Sequence, residues 1–352
     1  MFCLVLFNLA SLKGQGLADQ VVIVTLDGMR WQEIFKGIDT VLMKDSSYVR
    51  DRKELKSRFW GETESECRAK LMPFIWSELN KNGRLYGNRT LGNKVNNANR
   101  YWFSYPGYNE IFTGYPDTTV NSNDKVYNKN VSVLEYLNQT QKFKHKIAAF
   151  STWDVFPFIL NQPRSHIYVN SDIDELKFNT PRFQLINDWQ KLTTKPIGVR
   201  PDVITYIAAK EYLMEYKPRV LYISFDETDD YAHGGMYDQY LASAHAEDAM
   251  INDLWNTLQS MDAYRNKTTL IITTDHGRGD KIKSEWRDHG QGIRDASEIW
   301  IAMMGPGIYP SGEVKSSQQI YQAQLASTIA GLLGMEYKPD HPVYAPINIV
   351  KD

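Results

Sequence analysis

Short runs of consecutive apolar residues alternate along this chain with longer stretches of helical periodicity. The runs at 21–26 (VVIVTL), 146–150 (KIAAF), 220–225 (VLYISF), 269–274 (TLIITT) and 298–304 (EIWIAMM) are mostly apolar throughout rather than alternating. That is the pattern of strands covered on both faces. Residues 68–79, 201–216, 236–261 and 318–333 read as helices, with Pro201 at a first-turn position and Gly334 as a stop after the last. Strands alternating with helices predict crossover units. The expected fold class is therefore α/β: a doubly wound, mainly parallel sheet with helices on both faces. Residues 37–61 and 172–200 have weak periodicity and are expected to form loops or small cap elements over one end of the sheet. No Pro-, Gly- or Ser-rich linker and no internal repeat divides the chain, so residues 19–352 are expected to form one domain.

Composition narrows the classes. At 352 residues, 42% apolar and 23% charged, the chain is neither disordered nor a multi-pass membrane protein. Forty basic against 42 acidic residues, without a Lys/Arg block, give no phosphate-tracking surface for nucleic acid. Cys3 and Cys67 cannot build a disulfide framework or a thiolate zinc site. Residues 2–12 (FCLVLFNLASL) are too short to span a bilayer. With Gly16 and Ala18 as small residues before Asp19, they predict an export signal over 1–18 and a periplasmic or secreted protein.

The chemistry gathers where the apolar runs stop. VVIVTL runs into Asp27-Gly28, VLYISF into Asp226, Asp229, Asp230 and His233, and TLIITT into Asp275-His276-Gly277; His289 follows in a later loop. In an open parallel sheet, ligands bind beyond the carboxyl ends of the strands. Carboxylates crowded in a partly desolvated crevice repel one another unless a cation compensates. A carboxylate–imidazole set without thiolate suits Zn²⁺ or a related divalent ion. Singly, each piece reads as a turn, a capped loop or a structural histidine; their shared edge favours a metal site. Pro106 and Gly114 bracket a short helix, placing Ser104 just before its start. There it is either an N-cap or a nucleophile beside a cation. Arg30, three residues past Asp27, reads as a loop salt bridge rather than a phosphate contact.

In order and spacing, Asp27-Gly28-Met29-Arg30, the segment Ser104 to Gly114, Asp229-Asp230-Tyr231-Ala232-His233 and Asp275-His276-Gly277 with His289 resemble the alkaline phosphatase superfamily. Within it they are similar to the type I phosphodiesterase/nucleotide pyrophosphatase branch. The resemblance implies a hydroxyl nucleophile, two divalent metal ions (zinc by donor type) and a small phosphate ester as substrate. It implies that Asp27, Asp275 and His276 hold one metal with Ser104 as nucleophile touching it, and that Asp229, His233 and His289 hold the second. Asp229 is preferred over Asp226 or Asp230 because the motif places its aspartate four residues before the histidine. The branch usually has threonine where Ser104 stands, and an asparagine on a phosphoryl oxygen for which Asn121 and Asn123 both qualify.

Three other readings share part of this pattern. A sulfatase would carry an arginine where Tyr108 stands. A phosphoglycerate mutase would carry a large insert between nucleophile and later ligands, and the residues between Ser104 and Asp229 instead carry strand and helix signals of the main fold. A non-catalytic exported binding protein could use aromatic stretches such as Tyr101-Trp102-Phe103 and Trp153-Asp154-Val155-Phe156 for sugar, although such rings are more often core or cleft wall. All candidate ligands being present favours a phosphatase or phosphodiesterase.

Overall fold

In the computed structural model, which describes residues 17–349, the strands are β1 (Gln20–Leu26), β2 (Gly83–Tyr86), β3 (Asn93–Asn96), β4 (Ile147–Ser151), β5 (Tyr168–Ser171), β6 (Val220–Phe225), β7 (Thr268–Thr273), β8 (Glu298–Ile299), β9 (Ile301–Met304), β10 (Gly312–Glu313) and β11 (Gln318–Tyr321). Eight form the main sheet in the order β10-β2-β9-β7-β1-β6-β4-β5, and β11-β3-β8 form a small second one. The run β7-β1-β6-β4-β5 is parallel throughout, and β9 is antiparallel to both β7 and β2. This is the mainly parallel α/β architecture expected from the apolar runs.

The runs are apolar because both faces are covered. Alternate residues of β1 enter opposite layers: Val22, Val24 and Leu26 join one core, Val21 and Ile23 the other. The first layer includes Ala208, Ala209 and Leu213 of the helix Asp202–Tyr216 and Leu241, Ala244 and Ile251 of the helix Tyr237–Ser260. The second is built on the helices Ser104–Thr113 and Gln324–Leu332.

Several boundaries differ from the expectation, each for a local reason. Residues 298–304 are not one strand: β8 belongs to the small sheet and β9 to the main one. Trp300, between them, turns its indole inward to donate to Met29 O at 2.9 Å. The helix expected over 318–333 begins only at Gln324, because Gln318–Tyr321 pairs with β3. The helix expected over 68–79 runs from Glu64 to Leu71 and restarts as a wider π-type turn over Ile75–Leu79. Pro73 lacks an N–H at the break, and Asp248 accepts the N–H groups of Phe74 and Ile75 beyond it. The weakly periodic segments hold short capped helices, Thr40–Lys44, Arg52–Phe59 and Pro181–Leu192.

The expected export signal lies outside the described residues except for Leu17 and Ala18. Ala18 is buried and donates to Leu332 O at 2.9 Å, a contact that cleavage before Asp19 would remove. Cys67 is a buried free thiol. Among the described residues no helix is long and apolar enough to cross a membrane.

Candidate active site

The three strands whose ends carry the carboxylates are neighbours, and they end in step. Leu26 pairs with Phe225 and Thr25 with Thr273, so Asp27, Asp226 and Asp275 emerge on one edge, at the centre of the sheet. The chain at Asp275 is pinned through its carbonyl oxygen, which accepts from Asn97 Nδ2 at 2.7 Å and Gln322 Nε2 at 3.0 Å. Its Oδ1 accepts the N–H of Gly28 at 3.1 Å. Gly107 lies against the same carbonyl: a β-carbon there would stand 2.4 Å from it. Only glycine lets the helix Ser104–Thr113 approach this closely, and that approach brings Ser104 to the strand ends.

Ser104 is the first helical residue, and Phe103 is the N-cap. The serine hydroxyl caps nothing; its polar neighbour is His276 Nε2 at 3.5 Å. The helix start is capped from outside, by Asn123 Oδ1 accepting the N–H of Tyr105 at 2.9 Å. The N-cap reading of Ser104 is therefore set aside, and its side chain is free for another role. Asn123, not Asn121, stands at the helix start. Asn121 lines a cleft of about 300 Å³ with Tyr105, Tyr127 and Lys129.

His276 Nδ1 lies 3.0 Å from the carbonyl of Gly277. A carbonyl only accepts, so the proton belongs on Nδ1 and Nε2 presents a lone pair. Around that Nε2 stand Asp275 Oδ2 at 3.3 Å, Asp27 Oδ1 at 3.4 Å and Asp229 Oδ1 at 3.8 Å. A second group adjoins: Asp229 Oδ2 is 3.2 Å from His233 Nε2, Asp229 Oδ1 is 3.7 Å from His289 Nε2, and the two imidazole Nε2 atoms are 2.9 Å apart. Donor atoms of Asp27, Asp229 and His276 lie within 4.8 Å of one another, as do those of Asp229, His233 and His289. Asp229 belongs to both groups.

The cluster suits cations and tolerates their lack poorly. Asp27 Oδ1 and Asp275 Oδ2 are buried without any donor. Burial, reinforced by Asp229, pushes the Asp27 carboxyl well above the usual range; burial and then Asp27 do the same to Asp275. Asp229 behaves oppositely: burial pushes it up, but the Arg278 guanidinium, with His233 and His289, holds it well below the usual range. Burial, then His276, holds the His289 imidazole well below its ordinary value, in the neutral form that ligates metals. Lone pairs of carboxylate oxygen and imidazole nitrogen facing one another in a dry crevice fit divalent cations.

All seven residues singled out from the sequence thus meet at one rim: Asp27, Ser104, Asp229, His233, Asp275, His276 and His289. Asp226 and Asp230 belong to neither donor group. Among the described residues neither comes within ion-pair distance of a histidine, and Asp230 is pushed up to about 6 by burial and by Asp229. Arg30 is fully buried and paired with Glu33, donating also to Gly279 O at 3.0 Å, so it closes a loop as expected. His245 faces Phe59 and Leu71 O, and His341 stacks on Tyr115, both away from the rim.

Sequence reasoning missed the residues that hold this set in place. Tyr108, fully buried, donates its hydroxyl to Asp27 Oδ2 at 2.8 Å. Arg278, also buried, pairs with Asp229 Oδ1 and donates to Asp229 O at 3.1 Å. Its place directly after Asp275-His276-Gly277 was the available signal. Asn97 and Gln322 had none, lying far from every motif.

Residues 38–328 match the family described as type I phosphodiesterase / nucleotide pyrophosphatase, a span that includes every rim residue but Asp27. No curated protein matches the sequence. Among solved structures, the wild-type alkaline phosphatase PafA is 12% identical with a TM-score of 0.61, covering 96% of this chain and 99% of that one. A lipoteichoic acid synthase, LtaP, from Listeria monocytogenes is 13% identical with a TM-score of 0.59, covering 94% and 75%. A phosphonate monoester hydrolase of Agrobacterium radiobacter is 12% identical with a TM-score of 0.56, covering 94% and 76%. At these identities the likeness is one of fold.

Proposed function

This chain belongs to the type I phosphodiesterase/nucleotide pyrophosphatase family, within the alkaline phosphatase superfamily of metal-dependent hydrolases, and from that membership we propose that it hydrolyses phosphate esters through a covalent seryl intermediate. One observation carries the reading: the Ser104 hydroxyl, unused by its own helix, lies 3.5 Å from His276 Nε2 among buried carboxylate oxygens that have no proton donor.

Asp27, Asp275 and His276 would hold one divalent cation beside Ser104, and Asp229, His233 and His289 a second, with zinc suited to both donor sets. Such ions neutralise the crowded carboxylates, lower the pKa of a neighbouring hydroxyl and polarise the ester. Ser104 Oγ attacks phosphorus; the Oγ–P bond forms as the bond to the leaving oxygen breaks, and the serine proton ends on the departing alcohol. Water then cleaves the seryl ester and restores the hydroxyl. Asn123 holds the helix start in place while the bonds exchange. Tyr108 orients Asp27 by occupying Oδ2, which leaves Oδ1 turned to the cation side. Arg278 fixes Asp229 through Oδ1 and its backbone carbonyl, with Oδ2 turned to His233.

The test is hydrolysis of p-nitrophenyl phosphate and bis(p-nitrophenyl) phosphate by the purified chain, beside a metal analysis. Turnover of one or both is expected, lost to background with a chelator and restored by added zinc. Chelator-resistant turnover refutes the two-cation reading, and a metal-replete protein inert to both esters refutes the hydrolase reading. For Tyr108→Phe, loss of the hydroxyl frees Asp27 to rotate, and metal affinity is expected to weaken about 10–100-fold in a competition titration. Unchanged affinity would make Tyr108 a packing residue only.

A further inference from the structure

Three consecutive aromatic residues lead into the nucleophile: Tyr101, Trp102 and Phe103, each only partly buried. The other aromatic stretch noted in the sequence joins the interior, with Val155 and Phe156 in one core layer and Trp153 packed against it. Tyr101, Trp102 and Phe103 join neither layer. Tyr101 and Phe103 keep each other company, ring centroids 6.0 Å apart, and Tyr101 Oη donates to Thr118 O at 2.6 Å. Trp102 differs from both. The indole of Trp102 has neither hydrogen-bond partner nor ring contact among the described residues.

Its backbone is held in an unusual state. Trp102 has φ 52°, in the left-handed region that a bulky side chain rarely adopts. The restraint comes from inside the nucleophile's own helix. The buried Glu110 carboxylate accepts from Ala98 N, Asn99 N and Asn99 Nδ2 at 2.7, 2.7 and 2.8 Å, and from Ala323 N at 3.0 Å. Asn99 Oδ1 in turn accepts the N–H groups of Tyr101 and Trp102 at 2.9 and 3.1 Å. The same segment runs along the loop of His289, for the carbonyl of Tyr101 lies 3.9 Å from where a β-carbon on Gly290 would stand. A strained backbone, fixed by a chain of hydrogen bonds, therefore holds a partly exposed indole two residues from Ser104, in a segment whose Tyr101 carbonyl passes the loop of His289.

We infer that Trp102 is a specificity-determining residue, whose indole is the platform for a flat ring on the leaving alcohol of the ester. In an in-line displacement the leaving oxygen departs opposite Ser104 Oγ. The group of Asp229, His233 and His289 is proposed for the second cation, and Tyr101 adjoins the loop of its third member. The shared chemistry is a ring with a flat apolar face, supplied by either an aryl group or a sugar. This rests on the hydrolase reading above and adds to it the class of ester.

The test compares the parent, Trp102→Ala and Trp102→Phe as zinc-loaded full chains. The substrates are methyl phosphate diesters whose second alcohol is ethanol, benzyl alcohol or the 6-hydroxyl of glucose, followed by release of that alcohol. In the parent, at least one ring-bearing ester is expected to exceed the ethyl ester about tenfold in kcat/KM, mainly through KM. A benzyl preference identifies an aryl group and a glucosyl preference a sugar. Trp102→Ala brings the ring-to-ethyl ratio near one, and Trp102→Phe restores most of it. A ratio that Trp102→Ala leaves unchanged, including an equal fall for all three esters, overturns the inference while leaving the hydrolase reading intact. A parent that releases none of the alcohols overturns both.

Discussion

Ser104→Ala is expected to lower ester turnover by at least about 10³-fold while the bound metal stays close to the parent's. The separation of the two effects follows from the geometry. The hydroxyl caps no helix N–H, because Asn123 meets Tyr105 N from outside, so removing it breaks no backbone hydrogen bond. Asp27, Asp275 and His276 are positioned by Tyr108, Gly28 N and Gly277 O respectively, none of which passes through Ser104. The cation group thus survives and only the attacking atom is lost. Turnover with saturating ester and metal content by elemental analysis read the two quantities on the same sample. Full activity would point to another nucleophile, such as water. Lost metal with an intact fold would make the serine a ligand before anything else.

Asp229→Asn should be as damaging and in a different manner. Asp229 is shared by both donor groups, so the amide removes charge from each, and both the bound cations and the activity are expected to go. It also leaves Arg278 as a buried guanidinium without its carboxylate, which costs about 3–5 kcal/mol in comparable buried pairs and should lower the unfolding temperature of the metal-free protein. Asp226→Asn and Asp230→Asn are the controls, and both should keep their metal. The assignment fails if Asp229→Asn retains its metal while one of those two loses it.

How legible this was beforehand varies from residue to residue. That Asp27 and Asp275 share an edge could be read from the apolar runs preceding them, since a strand apolar on both faces belongs to the middle of a covered parallel sheet. The preference for Asp229 over its neighbours came from its spacing to His233; i and i+4 lie on one helix face, and the pair stands 3.2 Å apart. The boundaries that moved, at Trp300 and at Gln318–Tyr321, did so where a second small sheet competes for backbone hydrogen bonds, a demand that local periodicity does not encode.

Burial and local backbone conformation leave their mark on neighbouring residues, and so the amino-acid order alone determined the strands, most of the helices, the metal-suited donor types and the family likeness. That the Ser104 hydroxyl caps no helix N–H, which asparagine meets the helix start, and what holds each carboxylate were decided only by the folded chain. Tyr108 reaches Asp27 across 81 positions of sequence and Arg278 reaches Asp229 across 49. Contacts of that length depend on the order in which strands cross over and on a glycine small enough to let one helix touch another strand's carbonyl, and neither condition is written near the residues it joins.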